Sequence, residues 1–348
     1  MTWRSINYQI SIRDTLSLKG VAICAMLIHH LFVDGTEYGI IPYYLAVIGK
    51  VCVAIFVFLS AYGISVRLKE YDKIKPKNFC LFLARRYTKF FFNYWFVFFL
   101  SVACGVFILG RSLDDAYGAE SSLLFRFVID FWGFGGFDSY NITWWFNAII
   151  LSLWFFFPLL YWLMRCRVAS FFFILLLLLN PGDILYPLNF IAVCLPFYVL
   201  PFSLGIWHAV HESKINAVLQ KTNPYVILSV SFLMTFGLCC LRIKEAATWY
   251  ILDSFETLFL VFFVVSYNHL FKESKILAFL GKHSMNIYLL HTFIFGYFFH
   301  NFIYSFENAI VIFTMLLITS LLLSMMIEFF KKKIKFYWLL DKICKRLS

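Results

Sequence analysis

A lysine and a histidine lie eleven residues apart in the first long apolar stretch, Leu18-Lys19-Gly20-Val21-Ala22-Ile23-Cys24-Ala25-Met26-Leu27-Ile28-His29-His30. An ionisable side chain inside such a stretch is costly, which makes each one a candidate functional group. Eleven helical residues are close to three turns, so Lys19 and His30 share a face, roughly 16 Å apart along the axis. His29 points about 100° away from that face. A neutral imidazole suits general-base work on a hydroxyl, and Asp34, one turn beyond His30, is a possible orienter of the ring. The competing structural readings are a Lys19 that snorkels to the inner headgroups and a His30 that bonds a neighbouring helix.

The elements that must hold these residues follow from composition. Of 348 residues, 62% are hydrophobic and 14% charged, whereas soluble domains run at about 45–50% apolar and about 25% charged. The net charge of +11 is spread in short basic clusters between apolar runs. That distribution lacks the continuous basic face of a nucleic-acid binder, so no nucleic-acid partner is expected. Nine cysteines without a CxxC pair point to neither a disulfide framework nor a metal site. Arg4 and Arg13 precede the first apolar run without an A-x-A cleavage site, so the first helix is expected to remain as a signal anchor.

A bilayer crossing takes roughly 17–25 apolar residues. On that basis the chain reads as an all-α, polytopic transmembrane helix bundle of about ten spans: 16–33, 43–66, 90–110, 144–164, 168–181, 187–208, 225–241, 249–270, 284–303 and 309–330. Asn180-Pro181-Gly182-Asp183 is a strong turn signal after the fifth. With both termini cytoplasmic, 24 of the 30 Lys and Arg fall inside, Arg111, Arg126, Arg242 and Lys244 fall outside, and Lys19 and Lys50 lie within or beside spans, a strong positive-inside bias. The 111–143 loop is then external. Its Phe131, Trp132, Phe134, Phe137 and Tyr140, with Trp144 and Trp145, form either an aromatic belt at the headgroups or a platform for a sugar or lipid acceptor. Residues 331–348 read as a basic interfacial tail, with Ile334, Leu339, Ile343 and Leu347 as its apolar side. His208, His211 and His283 lie near cytoplasmic ends and are expected to be solvated.

Further motifs carry a family resemblance. The Lys19-to-His30 spacing is similar to the basic-residue, ten-residue gap, His pattern in the first helix of the acyltransferase family 3 membrane proteins, with Lys where many members have Arg. Phe56-Val57-Phe58-Leu59-Ser60-Ala61-Tyr62-Gly63 resembles their FFxLSGxx stretch, with Ala61 in place of Gly. Arg85-Arg86-Tyr87-Thr88-Lys89-Phe90-Phe91-Phe92-Asn93-Tyr94 resembles RRxxRxxPxY, with Lys89 for Arg and Phe92 for Pro. Trp144-Trp145-Phe146 fits the WF start of a middle helix. Leu280-Gly281-Lys282-His283-Ser284-Met285-Asn286-Ile287-Tyr288-Leu289-Leu290-His291 is similar to LGxxSxxxYLxH. The matches run in family order from about residue 15 to 295.

The resemblance implies a single membrane acyltransferase domain over 1–348. It would move an acyl group, most often acetyl, from cytoplasmic acetyl-CoA to a hydroxyl of an envelope polysaccharide or its lipid-linked precursor. The expected location is the bacterial cytoplasmic membrane, and the acyl-CoA is a donor substrate, with no bound cofactor. Lys19 and His30 are the catalytic candidates. Arg85, Arg86 and Lys89 suit the donor's phosphates, or are ordinary positive-inside residues. Ser60 and Tyr62 are candidate oxyanion donors or packing residues, Trp145 is a candidate acceptor contact, and His291 either lines the cavity or makes a structural hydrogen bond. The alternative function is a transporter or flippase of lipid-linked sugars or small anions. No internal repeat of the kind common in transporters is visible.

Overall fold

Apolar backbone out of water must satisfy its own hydrogen bonds, so such sequences fold as helices. The computed structural model describes residues 7–70, 76–118, 122–178, 190–245 and 248–346. It is 86% helix, with no strand among the described residues. The α-helices are α1 (Ile12–Phe32), α2 (Ile40–Gly49), α3 (Cys52–Glu70), α4 (Pro76–Phe107), α5 (Leu113–Tyr117), α6 (Leu123–Phe131), α7 (Trp145–Arg165), α8 (Arg167–Leu178), α9 (Phe190–Leu219), α10 (Pro224–Lys244), α11 (Trp249–Phe271), α12 (Lys275–Thr292), α13 (His300–Tyr304), α14 (Ala309–Lys333) and α15 (Phe336–Arg346).

Helix starts follow local chemistry. Ser11 caps α1 through a reciprocal pair with Asp14: the Asp14 N–H donates to Ser11 Oγ at 3.1 Å, and the Ser11 N–H donates to the carboxylate at 2.9 Å. Asn223 caps α10 with Pro224 in its first turn, and Asn308 caps α14. These groups occupy N–H donors that have no partner within the helix.

Seven helices, rather than ten, are long and apolar enough to cross a membrane among the described residues: Ile12–Phe32, Ile40–Lys69, Phe79–Phe107, Ile142–Arg165, Pro224–Lys244, Trp249–Phe271 and Ala309–Lys333. The other three expected spans are helical but depart from simple crossings. α8 is a short apolar helix, and the expected Asn180-to-Asp183 turn lies outside the described residues. α9 contains Pro196 and Pro201 and continues to Leu219. The ninth expected span gives way after Thr292 to a π-helical turn, Phe293–Phe298, before the short α13.

The chain divides into two compact units, Met1–Lys69 with Phe156–Ser284 and Glu70–Phe155 with Met285–Ser348. In the first, α1 packs on α2 and α11, and α10 runs along α11. Its tightest crossing joins α1 to the first half of α12. A Cβ on Gly20 would fall 2.1 Å from the Leu277 carbonyl oxygen, and one on Gly281 would fall 1.9 Å from that of Leu16. Only glycine permits that approach.

In the second unit the expected external loop is a folded cap. Asp130, fully buried, accepts from the Tyr117 hydroxyl at 2.9 Å and the Tyr140 N–H at 2.7 Å, and the Tyr94 hydroxyl is shared between its Oδ1 at 3.2 Å and its main-chain oxygen at 2.7 Å. Phe131 stacks on Trp95 of α4 at 4.7 Å, while Tyr140 and Trp144 are core residues. Only Trp132, Phe134 and Phe137 remain exposed as a belt or platform would require.

The basic tail also differs from expectation. Lys331 is fully buried, with its Nζ donating to Asn93 at 3.0 Å and to Asn286 and Glu328 at 3.3 Å each. α15 buries Phe336, Leu340 and Cys344 against Phe92 and Phe96 and leaves Leu339 exposed, as is Ile334 just before it. The face that fits α4 displaced the expected apolar side, and Leu347 lies outside the described residues.

Candidate functional site

α1 runs unbroken from Ile12 to Phe32, so the helical geometry that puts Lys19 and His30 on one face applies. Both are half-buried. Lys19 lies beside the Gly20 crossing with α12, which fixes the height of its backbone. His29 and His30 contact edge to face, with ring centroids 5.2 Å apart. His29 Nδ1 lies 2.8 Å from the Ala46 carbonyl oxygen. A carbonyl only accepts, so Nδ1 carries the proton and Nε2 keeps its lone pair. Gly49 makes this register possible: a Cβ there would lie 2.5 Å from the Ala25 carbonyl oxygen and 3.3 Å from His29 Cβ.

Several expected roles change. α1 ends at Phe32 with Val33 as its cap, so Asp34 is not on the helical face of His30 and is exposed. The Tyr62 hydroxyl receives the Ile10 N–H at 3.1 Å and donates to the Glu212 carboxylate. The Tyr62 hydroxyl proton is thus directed to Glu212. Ser60 is half-buried on α3. His208 is fully buried among Phe58, Tyr62 and Phe262 rather than solvated, and His283 is buried too.

In the second unit, Arg85, Arg86 and Lys89 form an i, i+1, i+4 stripe on α4, with Lys89 exposed. The Arg86 guanidinium sits 4.5 Å from the centroid of Trp154. Trp145 begins α7 with its ring 6.1 Å from Phe137. His291 is fully buried, and its Nδ1 donates to the Tyr288 carbonyl at 2.8 Å while Nε2 lies 3.3 Å from Thr292 Oγ1. Both nitrogens are thus engaged locally, which favours the structural reading of this histidine.

The main feature missed in the sequence is a polar centre in the first unit. Lys50, at the break between α2 and α3, places its Nζ 3.8 Å from the centroid of Trp249. Arg242 Nε donates to Asp253 Oδ1 at 3.0 Å, both side chains being buried. Cys239 Sγ lies 3.3 Å from Glu256 Oε1. Lys50 and Arg242 both act electrostatically on His29. The signal was present, because Asp253 and Glu256 interrupt the apolar run of α11 just as Lys19 and His30 interrupt that of α1.

Helices long and apolar enough to cross a bilayer, with histidines, lysines and carboxylates inside them, define a multi-pass membrane protein with polar chemistry within its spans. The profile of acyltransferase family 3, described as an acyltransferase domain, matches residues 17–329, and the chain belongs to that family. No curated protein and no solved structure matched it.

Proposed function

We propose that this membrane acyltransferase is an O-acyltransferase that moves an acetyl group from cytoplasmic acetyl-CoA to a hydroxyl of an envelope polysaccharide or its lipid-linked precursor. The observation that carries this is the Lys19-to-His30 stripe on an unbroken helix of a family acyltransferase. In the reaction, the acceptor hydroxyl gives its proton to the His30 imidazole as its oxygen bonds the acyl carbon. The carbon–sulfur bond breaks and the coenzyme leaves as thiolate. Lys19 supplies a fixed positive charge on the same helical face. Arg85, Arg86 and Lys89 are assigned to the donor's phosphates. The ten-span, both-ends-inside topology and the bacterial cytoplasmic membrane belong to the same proposal, supported by the distribution of Lys and Arg.

The test is transfer from labelled acetyl-CoA to the host's surface glycan. His30→Ala lowers the rate by about 100-fold or more, as loss of a general base does, at equal membrane abundance. Full retention of transfer removes His30 from the mechanism. Lys19→Arg stays active and Lys19→Ala does not if positive charge is what position 19 supplies. Cysteines placed at positions 138 and 73 label from opposite sides of the membrane; labelling from one side refutes the topology.

A further inference from the structure

Three buried polar atoms on α11 stand out. Asp253, Glu256 and Thr257 are 1%, 2% and 0% exposed. Among the described residues, Asp253 Oδ2, Glu256 Oε2 and Thr257 Oγ1 have no hydrogen-bond partner. Native proteins seldom leave such atoms unsatisfied, and each instance calls for a reason. The positions are i, i+3 and i+4, so the three side chains share one helical face.

Charge tells what kind of ligand fits. Asp253 pairs with Arg242, and Lys50 lies at the same centre, within electrostatic range of Asp253. Two basic groups thus stand with two carboxyl groups, and a neutral ligand adds no charge to that set. Among the described residues no group of three His, Cys, Asp or Glu side chains could hold a metal. What the centre lacks is hydrogen-bond partners for two carboxyl oxygens and a hydroxyl. A neutral, hydroxyl-rich group supplies them, because neighbouring hydroxyls can donate to acceptors one helical turn apart. The place also fits. Lys50 directly follows Gly49, which abuts Ala25 and His29, and Lys50 and Arg242 both act on His29.

The geometry points to Asp253, Glu256 and Thr257, held by Lys50 and Arg242, as the subsite that binds the hydroxyls of a neutral saccharide acceptor beside the His29–His30 pair. This rests on the acyltransferase reading and assigns the acceptor side of it to named residues.

The test uses the full chain in lipid nanodiscs, free of glycoside detergent. The probes are acetyl-CoA and O-deacetylated oligosaccharides from the host's own envelope glycan. Two variants are used: Thr257→Val, and the double variant Lys50→Met with Glu256→Met, which removes one basic and one acidic group together. Each raises the oligosaccharide KM by about ten-fold, the effect of losing one good hydrogen bond, and leaves the acetyl-CoA KM within about two-fold. For Thr257→Val the unfolding midpoint is equal or higher, since an unsatisfied buried hydroxyl is removed. A packing role predicts no change in oligosaccharide KM, and that result with normal transfer overturns the subsite while leaving the acyltransferase standing. Calorimetric binding of the oligosaccharides without donor separates the two ideas. Wild-type binding that the variants weaken, with no transfer by any form, keeps the subsite and removes the acyltransferase reading. Absence of binding to wild type overturns the subsite.

Discussion

Asp130 and Asp253 are both buried carboxylates, and they are treated in opposite ways. Asp130, in the cap of the second unit, receives two tyrosine hydroxyls and a backbone N–H. Both of its oxygens are satisfied by neighbours close in the fold. Asp253, in the first unit, spends one oxygen on Arg242 and leaves the other without a partner among the described residues, and Glu256 repeats the pattern. A fully satisfied buried carboxylate ties elements together and specifies an arrangement. One left with a bare oxygen carries a desolvation cost that packing alone does not recover. The contrast separates architecture from candidate function more sharply than burial does, since both groups are buried.

The contrast can be tested in order of expected effect. Arg242→Met leaves Asp253 buried without its ion pair, and the loss of stability is about 4 kcal/mol, the usual cost of breaking a buried pair. Adding Asp253→Leu restores most of it; chemical unfolding in nanodiscs reads both. A double variant as unstable as the single one would mean that Asp253 is held by more than Arg242.

A pH effect comes next. Burial pushes the Asp130 carboxyl up to about 6 from an ordinary 3.8. The folded-state value lies above the unfolded one, so the contribution is fully present below pH 3.8 and is lost as pH rises through about 6. The stability of wild type relative to Asp130→Asn therefore falls by about 3 kcal/mol across that window, at about 1.4 kcal/mol per unit. A flat difference would show that the three donors offset the burial completely.

Tyr117→Phe removes one donor from Asp130 and costs about 1.5 kcal/mol, as a hydrogen bond to a charged group does. Thr257→Val is the matching deletion on the other side. It changes stability by less than about 1 kcal/mol, in the stabilising direction, because no bond is lost. If Thr257→Val proves as costly as Tyr117→Phe, the two centres are alike and the distinction fails.

Much of the fold was legible in the chain. The apolar runs dictated helices, and the seven helices that qualify as spans fall where hydropathy put them. The start of α1 is written in Ser11 and Asp14, and its continuity kept Lys19 and His30 on one face. Family membership rested on short motifs that are themselves local. Asp34 and Tyr62 were harder. One depended on where a helix stopped, the other on Glu212, 150 residues away in sequence. His291 carried a family motif, yet its ring is taken up by carbonyls of its own helix and by Thr292.

The sequence by itself thus determined what one helix can settle: length, capping, periodicity, and which residues of α1 share a face. Those depend on backbone geometry repeated every few residues. Only the tertiary structure decided which faces meet. It buried Lys331 and His208, spent Tyr62 on Glu212, and brought Lys50, Arg242, Asp253 and Glu256 from three separate elements to one polar centre near His29. Periodicity tells that a face is polar or apolar, but partners are chosen by close approach. Here glycines at positions 20, 49 and 281, which permit contacts that no Cβ could, set that choice.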